Sequence, residues 1–194
     1  MSSIQYKDIE FVLPSILKAY RHEWAQQLIE EGIIYFTDLQ VFHADENAER
    51  CDVREGIVHR AMKDGMFIGM YKNPIYVWCG TMETNTDAIL NTWRDRTTVV
   101  EVNNTLTFLE RIRDKAKTKE GVIRFLAGPV VYDKDRGSHR DYFWAQGIFQ
   151  KDLFFGGQKE FRIALIGDPK KLKDKRDIAL TLGDCSDIIR IAKG

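Results

Sequence analysis

The sequence predicts an α+β fold: a strand-rich single domain over residues 1–194, with mixed or antiparallel pairing and roughly three helices. Three observations lead to this prediction. Segments rich in β-branched and aromatic residues outnumber segments with a helical stripe. A chain of 194 residues can bury a core without disulfides or metals. Hydrophobic residues make up 44% and charged residues 30%, with 14 Gly and only 4 Pro, which is typical of globular proteins.

Three segments show the helical period. They cover residues 22–31, a short stretch capped by Asn85 or Thr86, and residues 104–117. Gly32 ends the first helix. The inward-facing residues are predicted to be Trp24, Ala25, Leu28 and Ile29; Ile89, Leu90 and Trp93; and Phe108, Leu109, Ile112 and Ala116.

Apolar and β-branched segments predict the strands. Residues 9–17 are a strand or a loop, with Pro14 indicating an edge or a strand end. Residues 66–71 and 75–79 predict a hairpin around residues 72–74, and the second strand is expected to be central because it is apolar throughout. The other predicted strands cover residues 33–36, 97–102, 122–126, 130–132, 143–149, 160–166, 178–182 and 188–191.

Charge and cysteine content limit the partners and the compartment. Lys and Arg number 29, as do Asp and Glu, so net charge gives no support for a nucleic-acid partner, although a local basic patch stays open. The three cysteines lack the C-x-x-C spacing, which favours a reducing compartment. No apolar run has the length of a membrane span or a signal peptide. We therefore expect a soluble, cytoplasmic protein without a membrane partner.

The segment 158–162 is the main candidate site. Because strand side chains alternate, Gln158, Glu160 and Arg162 are predicted to share one face. The opposite face would send Phe161, Ile163 and Leu165 into the core. A carboxylate between an amide and a guanidinium suits hydrogen bonding to a sugar hydroxyl or stabilisation of developing positive charge. An exposed strand face with a same-face ion pair is the alternative.

Two other groups are weaker candidates. The acidic stretch that contains Asp52 and Glu55 lacks the calcium-loop pattern and paired histidines, so we expect a solvated loop and no metal. The charged stretches 133–141 and 170–177 also predict loops. An aromatic group could line a pocket or fill the core, and comprises Tyr142, Phe143, Trp144, Phe149, Phe154 and Phe155.

An ordered set of residues resembles a domain family of unknown function that is widespread in bacteria and their phages. The set is Tyr35-Phe36-Thr37, Phe42, Asp52-x-x-Glu55-Gly56, Cys79-Gly80-Thr81, Leu90-x-x-Trp93, and Lys151 through Glu160-Phe161-Arg162. The resemblance covers nearly the whole chain. Here Gln158 replaces the first acid of the last motif, and Gly80 interrupts the usual Cys-Ser.

That family is similar in turn to ADP-ribosyltransferase-like folds, which implies NAD as a substrate. On this resemblance Glu160 would hydrogen-bond the nicotinamide ribose and Gln158 would orient the acceptor. The implied cofactor-binding residues are Tyr35 or Thr37 at the nicotinamide, Lys18, Arg21 or His22 at the phosphates or adenine ribose, and Arg162.

Three functions follow as hypotheses. The first is an ADP-ribosyltransferase or NAD hydrolase that acts on a macromolecule in phage–host conflict, with Glu160 stabilising an oxocarbenium-like transition state. The second is a non-catalytic interaction protein of the same fold, which binds a protein partner. The third is a metal-dependent nuclease that uses Asp52 and Glu55 with Glu160.

Overall fold

A computed structural model describes residues 2–6, 9–44, 57–62, 65–93, 95–132, 146–172 and 174–194. Over these residues the fold is α+β, as the sequence predicts. An eight-stranded antiparallel sheet is accompanied by three two-stranded sheets. Five α-helices and two 3₁₀-helices lie in the described part of the chain.

The elements follow one another along the chain with short connections. The strands are β1 (Ser2–Tyr6), β2 (Ile9–Leu13), β3 (Ile16–Tyr20), β4 (Ile33–Asp38), β5 (Ile57–Met62), β6 (Gly65–Met70), β7 (Ile75–Thr81), β8 (Thr98–Val102), β9 (Val122–Pro129), β10 (Val131–Tyr132), β11 (Gln150–Lys151), β12 (Glu160–Gly167), β13 (Asp177–Thr181) and β14 (Ile189–Lys193). The helices are α1 (His22–Glu30), α2 (Thr86–Thr92), α3 (Thr105–Thr118), α4 (Gln146–Phe149) and α5 (Pro169–Leu172), with 3₁₀-helices at Leu39–Ala44 and Leu153–Gln158.

The large sheet has the strand order β13-β4-β7-β3-β8-β14, and β12 pairs with both β7 and β9. Strand β7 therefore has neighbours on both sides, which confirms the prediction that this apolar strand is central. Buried residues Ile75 to Trp78 explain the position, because a strand with two apolar faces is stable only where both faces are covered.

The chain forms two compact units. Unit 1 comprises Met1–Tyr35, Cys79–Lys119 and Ala179–Gly194, and unit 2 comprises Phe36–Trp78 and Glu120–Ile178. Because each unit is assembled from separate segments, the prediction of one domain over the chain stays a prediction.

Unit 1 contains the three helices that the sequence predicts. The Asn85 side chain accepts hydrogen bonds from the Asp87 and Ala88 amides at the start of α2, and Asn104 caps α3 in the same way. Helix α3 turns Phe108, Ile112 and Ala116 into the core. These caps and stripes are local features, so the sequence alone identifies them.

Helix α1 differs from its prediction at one residue. Ala25 and Leu28 are buried as expected, but Trp24 is 43% exposed, so its predicted inward position is wrong. The reason is its place in the first turn, where Arg21 and Arg96 cover the indole ring and the core does not.

Unit 2 has its core along β12. Residues 160–165 are all buried, so both faces of this strand are covered. Strand β9 pairs with it from Phe161↔Pro129 to Gly167↔Val122. Buried Tyr76 donates its hydroxyl to the carbonyl of Leu172 at 2.6 Å and to that of Lys175 at 3.1 Å.

Other predictions need correction. The expected hairpin of residues 66–71 with 75–79 is wrong, because β6 pairs with β5 and β7 belongs to the large sheet. Of the predicted strand 143–149, residues 143–145 lie outside the described residues and Gln146–Phe149 is helical. A run of aromatic residues favours strands, but the tertiary contacts of Ile148 override that propensity.

Some elements were divided or missed. Pro14 separates β2 from β3 within the segment 9–17. The sequence reading omitted β1, β5 and α5, the last of which falls in the predicted loop 170–177. Within the described ranges, no helix has both the length and the apolarity to cross a membrane.

Gly32 and Gly183 give a matched pair of substitutions. Both have left-handed backbones, with φ of +67° and +82°. A Cβ on Gly32 would clash with the carbonyl oxygen of Gly183 and lie 2.8 Å from its nitrogen, whereas no described atom lies within 4 Å of a Cβ on Gly183. Gly183→Ala should cost about 1–2 kcal/mol for the backbone alone. Gly32→Ala should cost about 1–3 kcal/mol more because backbone must move.

Urea denaturation of the two glycine variants measures this difference directly. Equal losses of stability in both variants would contradict the close approach of Gly32 to Gly183.

Tyr76 predicts a loss of stability at alkaline pH. Burial, and then the charges of Asp38, Asp174 and Asp177, raise the pKa of Tyr76 from 10.0 to about 12. Between these values the folded protein keeps a proton that the unfolded chain releases. The contribution is therefore complete below pH 10 and disappears as pH rises to about 12. Tyr76→Phe should flatten the stability–pH curve in this window.

A residual slope is expected in Tyr76→Phe, because burial raises the pKa of Tyr71 to about 12 as well. Tyr35→Phe, at a tyrosine that is 55% exposed, is the control and should leave the curve unchanged. Unfolding curves in urea at several pH values between neutral and strongly alkaline would show no difference among the three proteins if this account were incorrect.

Candidate functional site

The candidate site lies in unit 2, where a 3₁₀-helix leads into β12. Asp152 caps this helix by accepting a hydrogen bond from the Phe154 amide at 3.0 Å, and Phe155 is buried beneath it. Lys159 then has φ of 43°, in the left-handed region. This residue turns the chain from the helix into the strand.

Gln158 consequently lies in the 3₁₀-helix and not in the strand. Its predicted position by strand alternation with Glu160 is wrong, because alternation applies only from Glu160 onward. Glu160 and Arg162 do share a face of β12, as the sequence predicts.

Glu160 is held by two cations. The Nε atom of Arg162 lies 2.5 Å from its Oε1, and the Nζ atom of Lys151 lies 2.8 Å from its Oε2. The Nη2 atom of Arg162 is 3.4 Å from Oε2. All three side chains are at most 6% exposed, so the ion pair is present but the alternative of an exposed strand face is wrong.

Lys151 joins Gln158 to this arrangement. It donates a hydrogen bond to Oε1 of Gln158 at 3.1 Å and lies 5.3 Å from the centroid of the Phe155 ring. We call Lys151, Gln158, Glu160 and Arg162 the Glu160 cluster. The sequence analysis did not assign a role to Lys151, although the motif that ends in Arg162 begins with it.

Further hydrogen bonds fix the Glu160 cluster to the surrounding backbone. The Glu160 amide donates to the hydroxyl of Tyr132 at 2.8 Å, and the Val130 amide donates to the Glu160 carbonyl at 2.9 Å. Nη1 of Arg162 donates to the carbonyl of Ile148 at 2.5 Å. The cluster therefore connects β12 to α4 and to the short pair of β10 and β11.

The cluster has limited capacity for chemistry. A carboxylate has roughly four lone-pair positions, and the two cations use most of those on Glu160. One further hydrogen bond from a hydroxyl group fits this arrangement. Gln150 adds an unusual feature, because its buried Nε2 has no hydrogen-bond partner in the described part of the chain.

The residues predicted to bind NAD lie mostly in unit 1. Lys18 donates to the carbonyl of Cys79 at 2.5 Å, and His22 Nδ1 is 3.2 Å from the hydroxyl of Thr98. Arg21 lies over the ring of Trp24. Tyr35 is an exposed residue of β4. Each of these residues has a separate environment, and the contacts described above do not join them into one site.

Thr37 lies in unit 2, and its hydroxyl donates to Asp177 at 2.7 Å. Of the predicted site residues, the contacts bring together Gln158, Glu160 and Arg162. This grouping is the part of the site that the sequence anticipated. The assignment of NAD-binding roles stays a prediction.

The weaker candidates give no metal site in the described residues. Asp52 and Glu55 lie outside these residues, and within them no three His, Cys, Asp or Glu side chains are grouped to hold an ion. Of the aromatic group, Tyr142, Phe143 and Trp144 also lie outside. Phe155 is buried, whereas Phe154 is 80% exposed, and their rings meet edge to face at 5.2 Å.

Comparison with known proteins gives no family assignment. No family model matches the chain, and neither a curated protein nor a solved structure shows significant similarity to it.

The buried charges predict a large effect of Glu160→Gln on stability. The change leaves Lys151 and Arg162 buried without their carboxylate, which should cost about 3–5 kcal/mol. Glu101→Gln is the control, because its partner Arg190 is 65% exposed. The control should cost about 1 kcal/mol or less.

Urea denaturation with circular dichroism measures both values. A loss for Glu160→Gln no larger than that for Glu101→Gln would contradict a buried ion cluster.

Proposed function

We propose that this chain is a non-catalytic protein that binds a protein partner, and that the Glu160 cluster maintains the fold of unit 2. One observation carries the proposal: both oxygens of Glu160 are paired with buried cations. A carboxylate engaged in this way stabilises structure, because its charge is already balanced by its neighbours.

Electrostatics favours this role over glycosidic bond cleavage. Cleavage of NAD develops positive charge on the ribose, and a catalytic carboxylate must offer uncompensated negative charge at that point. Lys151 and Arg162 lie within 2.8 Å of the Glu160 oxygens, closer than a sugar ring could approach. In a buried site their repulsion of a developing cation is poorly screened.

The surface supports binding. Trp24, Tyr35 and Phe154 are exposed by 43%, 55% and 80%. Aromatic residues are enriched where protein partners meet, because they bury a large area with little loss of side-chain freedom. An exposed aromatic residue on a regular element is therefore better explained by a partner than by the core.

A cytoplasmic location is part of this proposal. Cys79 and Cys185 are free thiols, as expected in a reducing compartment. Burial raises the pKa of the Cys185 thiol, which keeps it protonated and unreactive.

An NAD-using ADP-ribosyltransferase that acts on a macromolecule in phage–host conflict is the second candidate. The convergence of Gln158, Glu160 and Arg162 favours it, since these are the residues that the resemblance implies. In this case Glu160 would accept a ribose hydroxyl in its remaining hydrogen-bonding position. Lys151 would then orient both Gln158 and Glu160.

NAD turnover separates the two candidates. Release of nicotinamide and transfer of labelled ADP-ribose are measured for the wild type, Glu160→Gln and Glu101→Gln. A binding protein should give equal background rates in all three. Wild-type turnover that falls by about 100-fold or more in Glu160→Gln, but not in Glu101→Gln, would overturn the proposal in favour of the enzyme.

A second variant covers the expected instability of Glu160→Gln. Replacing Lys151, Glu160 and Arg162 together by Met, Leu and Met removes all three charges and should leave stability within about 2 kcal/mol of the wild type. A binding protein should keep its partner in this variant, whereas an enzyme would be inactive.

A further inference from the structure

Trp24 and two arginines form a stack on the surface of unit 1. The guanidinium carbons of Arg21 and Arg96 each lie 5.1 Å from the centroid of the Trp24 ring. We call these three residues the Trp24 stack. Both distances are within the range of a cation–π interaction. The stack therefore holds two flexible cationic side chains in fixed positions.

The surrounding backbone fixes the positions from which these side chains extend. Strands β3 and β8 pair up to Tyr20↔Thr98, and the Thr97 amide donates to the carbonyl of Tyr20 at 3.0 Å. Arg21 directly follows β3 and Arg96 lies just before β8, so this pairing brings the two arginines together. The stack is thus built on a sheet edge and a helix start.

The exposed groups of the stack are hydrogen-bond donors. Nε of Arg96 pairs with Asp95 at 3.2 Å. Among the described residues the Arg21 guanidinium and the Trp24 indole N–H have no hydrogen-bond acceptor. A surface that offers oriented donors and an aromatic ring suits acceptor-only groups, such as carboxylates.

We propose that the Trp24 stack is the surface that binds the protein partner, and that the partner contributes an acidic segment whose carboxylates bind Arg21 and Arg96. This inference rests on the proposed binding function. Trp and Arg dominate the binding energy of many protein interfaces. Arginines already ordered by a tryptophan lose less side-chain entropy on binding.

A protein partner fits better than a nucleic acid. A phosphate backbone is held by many cations along an extended track, and its affinity increases with their number. Here two arginines occupy one spot, Glu23 and Asp95 adjoin them in the sequence, and Lys and Arg equal Asp and Glu at 29 each. This balance of charges favours a short acidic segment.

The experiment uses an acidic peptide of about twelve residues, in which Glu and Asp alternate with Ser and Leu. Binding is followed by NMR through the indole N–H signal of Trp24, which is assigned with Trp24→Phe. We expect a saturable shift with the acidic peptide and none with its Gln and Asn counterpart. Arg21→Gln and Arg96→Gln should each weaken binding by about tenfold.

Arg113→Gln is the matched control, since it removes an arginine of unit 1 that pairs with Asp114 on α3. It should change affinity by less than about twofold. Equal effects of all three arginine variants, no saturable shift, or tighter binding of a thymidine oligonucleotide of the same length would overturn the inference. The first two outcomes leave the proposed function standing, whereas Glu160-dependent NAD turnover would remove that function without altering the peptide result.

Discussion

The placement of the Glu160 carboxylate between Lys151 and Arg162 is the interaction on which unit 2 depends. Moving each of these charges out of water costs several kcal/mol, so the three are tolerated only together. Their positions then determine where β12 starts, how the 3₁₀-helix ends and where the Ile148 carbonyl lies. Local backbone geometry, including the left-handed Lys159, is fixed around this buried charge.

Much of β12 could be predicted from the sequence because its information is local. Alternation identified the buried residues Phe161, Ile163 and Leu165, and placed Glu160 and Arg162 on one face. It could not show that this second face is also buried, because burial depends on what the rest of the chain places against it. Lys151 was missed for the same reason, since it meets Glu160 only through the tertiary fold.

Trp24 and the hairpin error have a related physical origin. The helical period correctly gave α1, but in the first turn a large apolar residue can be covered by cations from a distant strand start, as Arg96 does here. Likewise the apolar segments 66–71 and 75–79 were recognised, yet their partners were not. Propensity specifies the type of element, whereas pairing is decided by long-range packing.

The close approach of Gly32 to Gly183 has an evolutionary consequence. Although the two positions share a left-handed backbone, only Gly32 faces another main chain at a distance that excludes any side chain. Position 183 has room for asparagine, which tolerates this conformation. Among descendants of this chain, position 183 should therefore drift while position 32 remains fixed, so these two glycines would diverge at unequal rates.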